Sequence, residues 1–309
     1  MRIKAINNQI DESKKKYFLS YEGIKTEVQY FDGIIKYRKQ IKLKDDIELI
    51  PILRNHIFLG WSNPLKAFER TKFCIDNLKN NRRNIASFVS SVVEFCFYNS
   101  NDLSQKEDAV YLYDAIMDFL AEDYKLRKDD NLYFDDVRVE EITKSIEVYI
   151  KKNYAINNIN KFIKSQFISF NSDIDKVCLI VDRDKRSVNE EQYNQLLKKC
   201  NENNYDLYIS NPCFEFWLLL HFNEVFDLDR VKLLENDKIS DEDKAIHYTE
   251  KELKKLLPEF EKNNICFDKL INQIKLAIEN EKSFEQDINE LNYKIGSNVG
   301  LLIKDLINN

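Results

Sequence analysis

The sequence predicts an α/β fold: a mostly parallel sheet with a large all-helical insertion and a helical C-terminal region. Two observations predict it. Short apolar runs alternate with amphipathic stretches over 17–53 and again over 176–222, the pattern of parallel βαβ units. Between them, from about 62 to 170, apolar residues recur only at helical spacing.

The first strand is expected over 17–21. A helix follows from Thr26 to about Ile41, with Val28, Tyr30, Phe31, Ile34, Ile35 and Tyr37 at helical intervals. A second strand over 47–53 contains Pro51, which marks a strand end or an edge position. Asn63-Pro64 opens the helical block, with helices expected near 64–80, 83–99, 105–127 and 138–168 and no strand among them. The chain is therefore expected to form a discontinuous α/β domain, 1–61 and 171–309, around an insertion, 62–170. The α/β pattern resumes with a strand over 176–181, a helix over about 189–203 and a strand over 205–210. Asn211-Pro212 stops that strand, and Pro212 suits the first position of a buried helix over 214–222. Further helices are expected near 241–263, 266–280 and 297–308.

Composition narrows the class. Of 309 residues, 43% are hydrophobic and 32% charged, with five Gly and four Pro, as in a globular protein of long helices and short connections. No stretch is long and apolar enough for a bilayer and the N-terminus lacks a signal-peptide core, so no membrane and a cytoplasmic location are expected. Six cysteines without a C-x-x-C pair, and three scattered histidines, argue against a zinc site and against histidine-based hydrolysis. The net charge of −6 argues against free-standing, non-specific nucleic-acid binding. A local basic patch, a metal or a partner would be needed, and Lys36–Lys39, Asn81-Arg82-Arg83 and Lys251–Lys255 are the basic clusters available.

Three motifs carry chemistry. Val177–Asp184 is an apolar run ending in two acids, Asp182 and Asp184, which period-two geometry places on one side of the chain. Lys16–Gly23 is a second apolar run, ending in Glu22-Gly23. Acids at the carboxyl ends of neighbouring strands would form an oxygen-rich pocket suited to Mg²⁺. Thr26 can cap the next helix and Glu27 suits its positive end, whereas helix stability does not account for Glu22. In Ser210–Trp217, Glu215 falls in the first turn of an otherwise apolar helix, a costly place for an acid unless it is paired or metal-bound.

Together, Tyr-Glu-Gly-x-Lys-Thr-Glu (21–27), Val-Asp-x-Asp (181–184) and Ser-Asn-Pro-Cys-Phe-Glu-x-Trp-Leu-Leu-Leu-His-Phe (210–222) resemble the RloB-like proteins, which include the second component of the AbiL abortive-infection system. The resemblance covers about 16–60 and 175–225, more loosely 293–299, and omits the helical block. It implies a Toprim-like (Rossmann-like) catalytic domain holding Mg²⁺ or Mn²⁺ on Glu22, Asp182 and Asp184. Glu22 or Glu27 would then serve as general acid/base and Glu215 would help to hold a second ion. Lys25, Arg183 and Lys185 would clamp phosphate oxygens, and Thr26 and Asn211 would complete the substrate contacts. It further implies a nuclease cutting tRNA, other RNA or DNA, as the effector of an antiphage system restrained by an ABC/SMC-like ATPase encoded alongside. The competing reading is a non-catalytic subunit of that ATPase, in which the insertion docks onto the ATPase or forms a homodimer.

Overall fold

The computed structural model describes residues 14–23, 25–52, 63–99, 103, 106–134, 136, 138–154, 159, 162–163, 166–241 and 244–307. Leu53, Gln105, parts of the helix expected over 138–168 and the last residue of the one expected over 297–308 lie outside them. The strands are β1 (Lys15–Tyr21), β2 (Ile47–Ile52), β3 (Arg82–Asn84), β4 (Asn131–Tyr133), β5 (Lys176–Asp182), β6 (Asp206–Asn211), β7 (Lys238–Asp241), β8 (Lys244–His247) and β9 (Gly296–Ser297). The helices are α1 (Thr26–Lys36), α2 (Pro64–Lys79), α3 (Ile85–Asn99), α4 (Lys106–Tyr124), α5 (Arg138–Asn153), α6 (Glu190–Asn203), α7 (Phe214–Leu219), α8 (Arg230–Glu235), α9 (Tyr248–Leu256), α10 (Phe267–Leu270), α11 (Ile274–Glu281) and α12 (Val299–Leu306). No helix among the described residues is long and apolar enough to cross a membrane.

The chain divides into two compact units, one of residues 17–51, 62–69 and 176–309, the other of 1–16, 52–61 and 70–175. The first is mixed α/β, built on a five-stranded sheet of order β2-β1-β5-β6-β9. β1 pairs parallel with β5 (Tyr21 opposite Ile180) and β5 parallel with β6 (Asp182 opposite Ser210), while β9 closes one edge antiparallel to β6. β5 is buried almost along its whole length, as befits a strand covered on both faces. β1 leads through α1 to β2 on one side, and β5 leads through α6 to β6 on the other. The crevice between the carboxyl ends of β1 and β5 is thus a topological switch point, where open α/β sheets bind ligands.

Local chemistry explains these elements. Asn189 caps α6 through a reciprocal capping box with Gln192, and Asn204 ends it in the left-handed conformation. Asn63 Oδ1 accepts the Leu65 amide at the start of α2. Pro51 sits on an edge strand, as its missing N–H requires. The apolar α7 is wholly buried, and Phe216 packs edge-on against Phe284.

In the second unit, α3, α4 and α5 bury Phe88, Val92, Cys96, Leu112, Ile116, Ile142 and Ile146 in one core. The expectation of no strand here is corrected: β3 and β4 pair antiparallel, Arg83 opposite Leu132. A helix beginning at Asp241 is also corrected, because β7 and β8 form a hairpin through that position and α9 starts only at Tyr248. α1 ends at Lys36 rather than near Ile41. Pro212 precedes α7 by two residues, and Cys213 occupies its N-cap.

Candidate active site

The site assembles at the switch point from three chain segments. β1 continues its ladder through the Glu22 amide, which donates to Ile180 O at 2.9 Å, so Glu22 stands beside the end of β5. Its Oε2 accepts the backbone amide of Asp182 at 3.1 Å. Asp182 in turn accepts the Phe214 amide at 2.8 Å, the first N–H of α7, which ties the end of β5 to the start of that helix. Glu27, in the first turn of α1, reaches back to the Gly23 amide at 3.1 Å. A Cβ at position 23 would collide with that carboxylate, so here glycine makes room for Glu27.

These groups bear on one another electrostatically. Burial, then the charges of Glu27, Glu22 and Glu215, hold the Asp182 carboxyl well above the usual range. Burial, with a smaller push from Glu215, raises Glu27 to about 7 against the pull of backbone N–H groups and Lys262. Glu215 is buried and lies 3.8 Å from Lys262 Nζ, which also meets Glu250 at 3.6 Å. Asp182, Glu27, Glu215, Glu250 and Lys262 line a cavity of about 730 Å³, with Thr249 and Asn236 as a polar wall. Asn236 is left-handed and accepts both the amide and the hydroxyl of Thr249. Cys213 also faces this cavity, but burial pushes its thiol far up, so it is no thiolate nucleophile.

The expected residues sort into three groups. Lys25, Thr26, Glu27, Asp182, Asp184, Lys185 and Glu215 line the cavity. Asp184 does so from an exposed turn, where its carboxylate accepts the Arg186 amide at 2.9 Å, and it is not among the charges that raise Asp182. Glu22 stands beside Asp182 as its backbone partner. Arg183 and Asn211 are corrected. Arg183 is buried, donates to Asn292 and to Val188 O, and lies 5.3 Å from the Tyr193 ring centre; it does not line the cavity. Asn211 is fully buried and donates to the carbonyls of Leu291 and Lys294. Thr26 is the first residue of α1 and no side chain caps that helix. In the basic cluster 81–83, Arg83 is buried among Cys74, Ser91 and Gln166 and closed to nucleic acid. Sequence reasoning missed Lys262, Glu250, Asn236 and Thr249. Glu250 and Lys262 leave only an unlike-charge pattern far along the chain from the acids, and the neutral Asn236 and Thr249 leave none.

Hard oxygen donors crowded without enough positive charge fit a divalent cation in their chemistry. As placed, they surround a cavity and do not form a finished shell: among the described residues no three His, Cys, Asp or Glu side chains are grouped to hold a metal ion.

The profile of the RloB-like protein family matches residues 127–306, well over half of the chain. The chain belongs to the RloB-like family. No curated protein and no solved structure matches it significantly. The match takes in Asp182, Asp184, Glu215, Glu250 and Lys262 of this RloB-like protein, whereas Glu22 and Glu27 precede it. The fold unites both parts at one cavity.

Proposed function

We propose that the chain is a Mg²⁺-dependent Toprim nuclease that hydrolyses phosphodiester bonds, the effector of an antiphage abortive-infection system controlled by an ABC/SMC-like ATPase. One observation carries the reading. Carboxylates from three chain segments, Glu22, Glu27, Asp182 and Glu215, gather at the switch point, and their burial and mutual repulsion raise the proton affinity of Asp182 and Glu27. Such a cluster is stable at neutral pH only with protons or cations to offset the repulsion. Membership of the RloB-like family supports the antiphage setting and the ATPase partner, and the strand order supports the Toprim assignment.

Asp182 and Glu215 would hold the cation, with Glu22 fixing Asp182 through its amide. A bound divalent ion would supply charge for the transferring phosphoryl group and lower the pKa of an attacking water. Glu27, poised near 7, would take up or release a proton at physiological pH. Lys25 and Lys185 line the same cavity and would steer phosphate oxygens.

The test is cleavage of labelled RNA and DNA by the purified chain, alone and with its ATPase, in Mg²⁺ or EDTA. Cutting should require the metal and fall roughly 100-fold or more in Asp182→Asn and Glu27→Gln. Wild-type cutting by both variants would sink the assignment. Full phage protection by cells in which Glu22 and Asp182 are both alanine would favour the non-catalytic subunit.

A further inference from the structure

The acid cavity has a neighbour. A groove of about 550 Å³ shares Lys185 and Glu235 with it and is lined further on by Arg230, Phe284, Tyr293 and Lys294. Two exposed aromatic rings stand at or beside it. Tyr293 is 51% exposed, with its hydroxyl donating to Glu190 at 2.5 Å, so the ring stands open to solvent. Phe226, 43% exposed, lies beside the groove and stacks on the buried Phe284 of its lining, with ring centres 5.9 Å apart and planes 12° from parallel. The Arg230 guanidinium lies 4.6 Å from the centre of that same Phe284 ring.

The charges are equally uneven. Lys294 is paired with Glu285 and Glu290, and Glu285 also accepts the Gln286 and Asp287 amides, so that acid is already neutralised. Among the described residues, Lys185 and Arg230 are in no ion pair and face the groove with Glu235 as its remaining acid. Open rings beside unpaired cations suit a ligand with π-faces and phosphates in alternation. A duplex hides its base faces, so a stacking platform serves unpaired bases only.

We propose that this groove binds a single-stranded stretch of polynucleotide flanking the phosphodiester at the acids. Its bases would stack on the exposed rings of Tyr293 and Phe226, and Arg230 and Lys185 would contact the phosphates between them. The position of the reacting bond rests on the nuclease reading above; binding in the groove does not depend on it.

The experiment uses the full chain in EDTA with fluorescein-labelled oligouridine and oligothymidine, each about 12 nucleotides long, and a duplex of the same length. Fluorescence anisotropy should show the single strands binding at least about tenfold more tightly than the duplex, and the uridine and thymidine arms tell RNA from DNA. The Phe226→Ala/Tyr293→Ala double variant should lose about 10- to 100-fold, while Tyr293→Phe, which keeps the ring, should bind like wild type. Arg230→Gln should weaken binding and reduce its logarithmic salt slope by about 0.7. Unchanged affinity in the double variant, at a wild-type thermal midpoint, overturns the proposal, as does equal affinity for the duplex. If the groove variants lose binding while the wild type cuts nothing in Mg²⁺, the groove stands and the nuclease reading falls. If the wild type cuts while the groove variants bind undiminished, the nuclease reading stands and the groove falls.

Discussion

Gly23 and Glu281 show how single residues set the chemistry here. A methyl group at position 23 has no room unless the Glu27 carboxylate moves, and that carboxylate is the flexible end of a side chain. Gly23→Ala should therefore cost less than about 1 kcal/mol of stability yet lower cleavage at least about tenfold, and urea melts beside rate measurements will separate the two. Glu281 lies far along the chain from this cluster, fully buried in α11, accepting the Gly300 amide at 2.8 Å and Gln286 Nε2 at 2.7 Å. Burial nevertheless pushes its pKa up to about 7, from an ordinary value of 4.5. The folded state then binds this proton more tightly than the unfolded chain, so stability falls as pH rises from about 4.5 through about 7. The effect is on the order of 3 kcal/mol at most. Glu281→Gln should flatten the decline in urea midpoint between about pH 5 and pH 8, and an unchanged slope would exclude Glu281 as its source. Legibility at this scale followed geometry. Asp182 ends a strand and could be read from its apolar run. Arg183 is the next residue, and alternation sends it to the other side, onto Asn292 and Val188 and off the lining of the acid cavity. Asp184 lies beyond the strand in a turn, so the period-two argument stops applying before it.

Elements long enough to show a period were the ones the sequence made legible. β1, β5 and β6 each bury a run of five or more residues, and α6 carries both its caps in its sequence. β3, β4 and β9 are two or three residues long and leave no pattern; only tertiary pairing defines them. The β7–β8 hairpin was masked by a charged stretch that reads equally well as a helix face. The site depends most on α7, since its first amide holds Asp182 and its first turn carries Glu215. Phe216 anchors this short helix with no exposed surface and an edge-on contact to Phe284 at 5.1 Å. Phe216→Ala should cost about 3–5 kcal/mol by denaturant unfolding, and any folded fraction should bind Mn²⁺ more weakly as Asp182 and Glu215 lose their support. Wild-type Mn²⁺ affinity in such a variant would show that the acids do not rely on this helix.

At the scale of the whole molecule, the two units bury separate apolar clusters. Leu112 and Ile116 belong to the helical one, Phe216 and Trp217 to the one around the sheet. All the candidate site residues fall in the unit that carries the sheet, and the net charge of −6 gives the chain no general attraction for nucleic acid. Among the described residues, none of the helical unit lines the acid cavity, and a change in its core should be felt as stability and not as metal affinity. Leu112→Ala, which empties a fully buried position, should cost about 2–5 kcal/mol while Mn²⁺ binding by the folded protein stays at the wild-type level. The comparison with Phe216→Ala sharpens the point, because the two residues share no cluster and their effects should add to within about 0.5 kcal/mol in the double variant. Chemical denaturation of the four proteins measures the sum, and Mn²⁺ titration followed by electron paramagnetic resonance measures the site. A coupling well above that limit, or a fall in Mn²⁺ affinity from Leu112→Ala alone, would mean that the helical unit's core helps to shape the acid cavity.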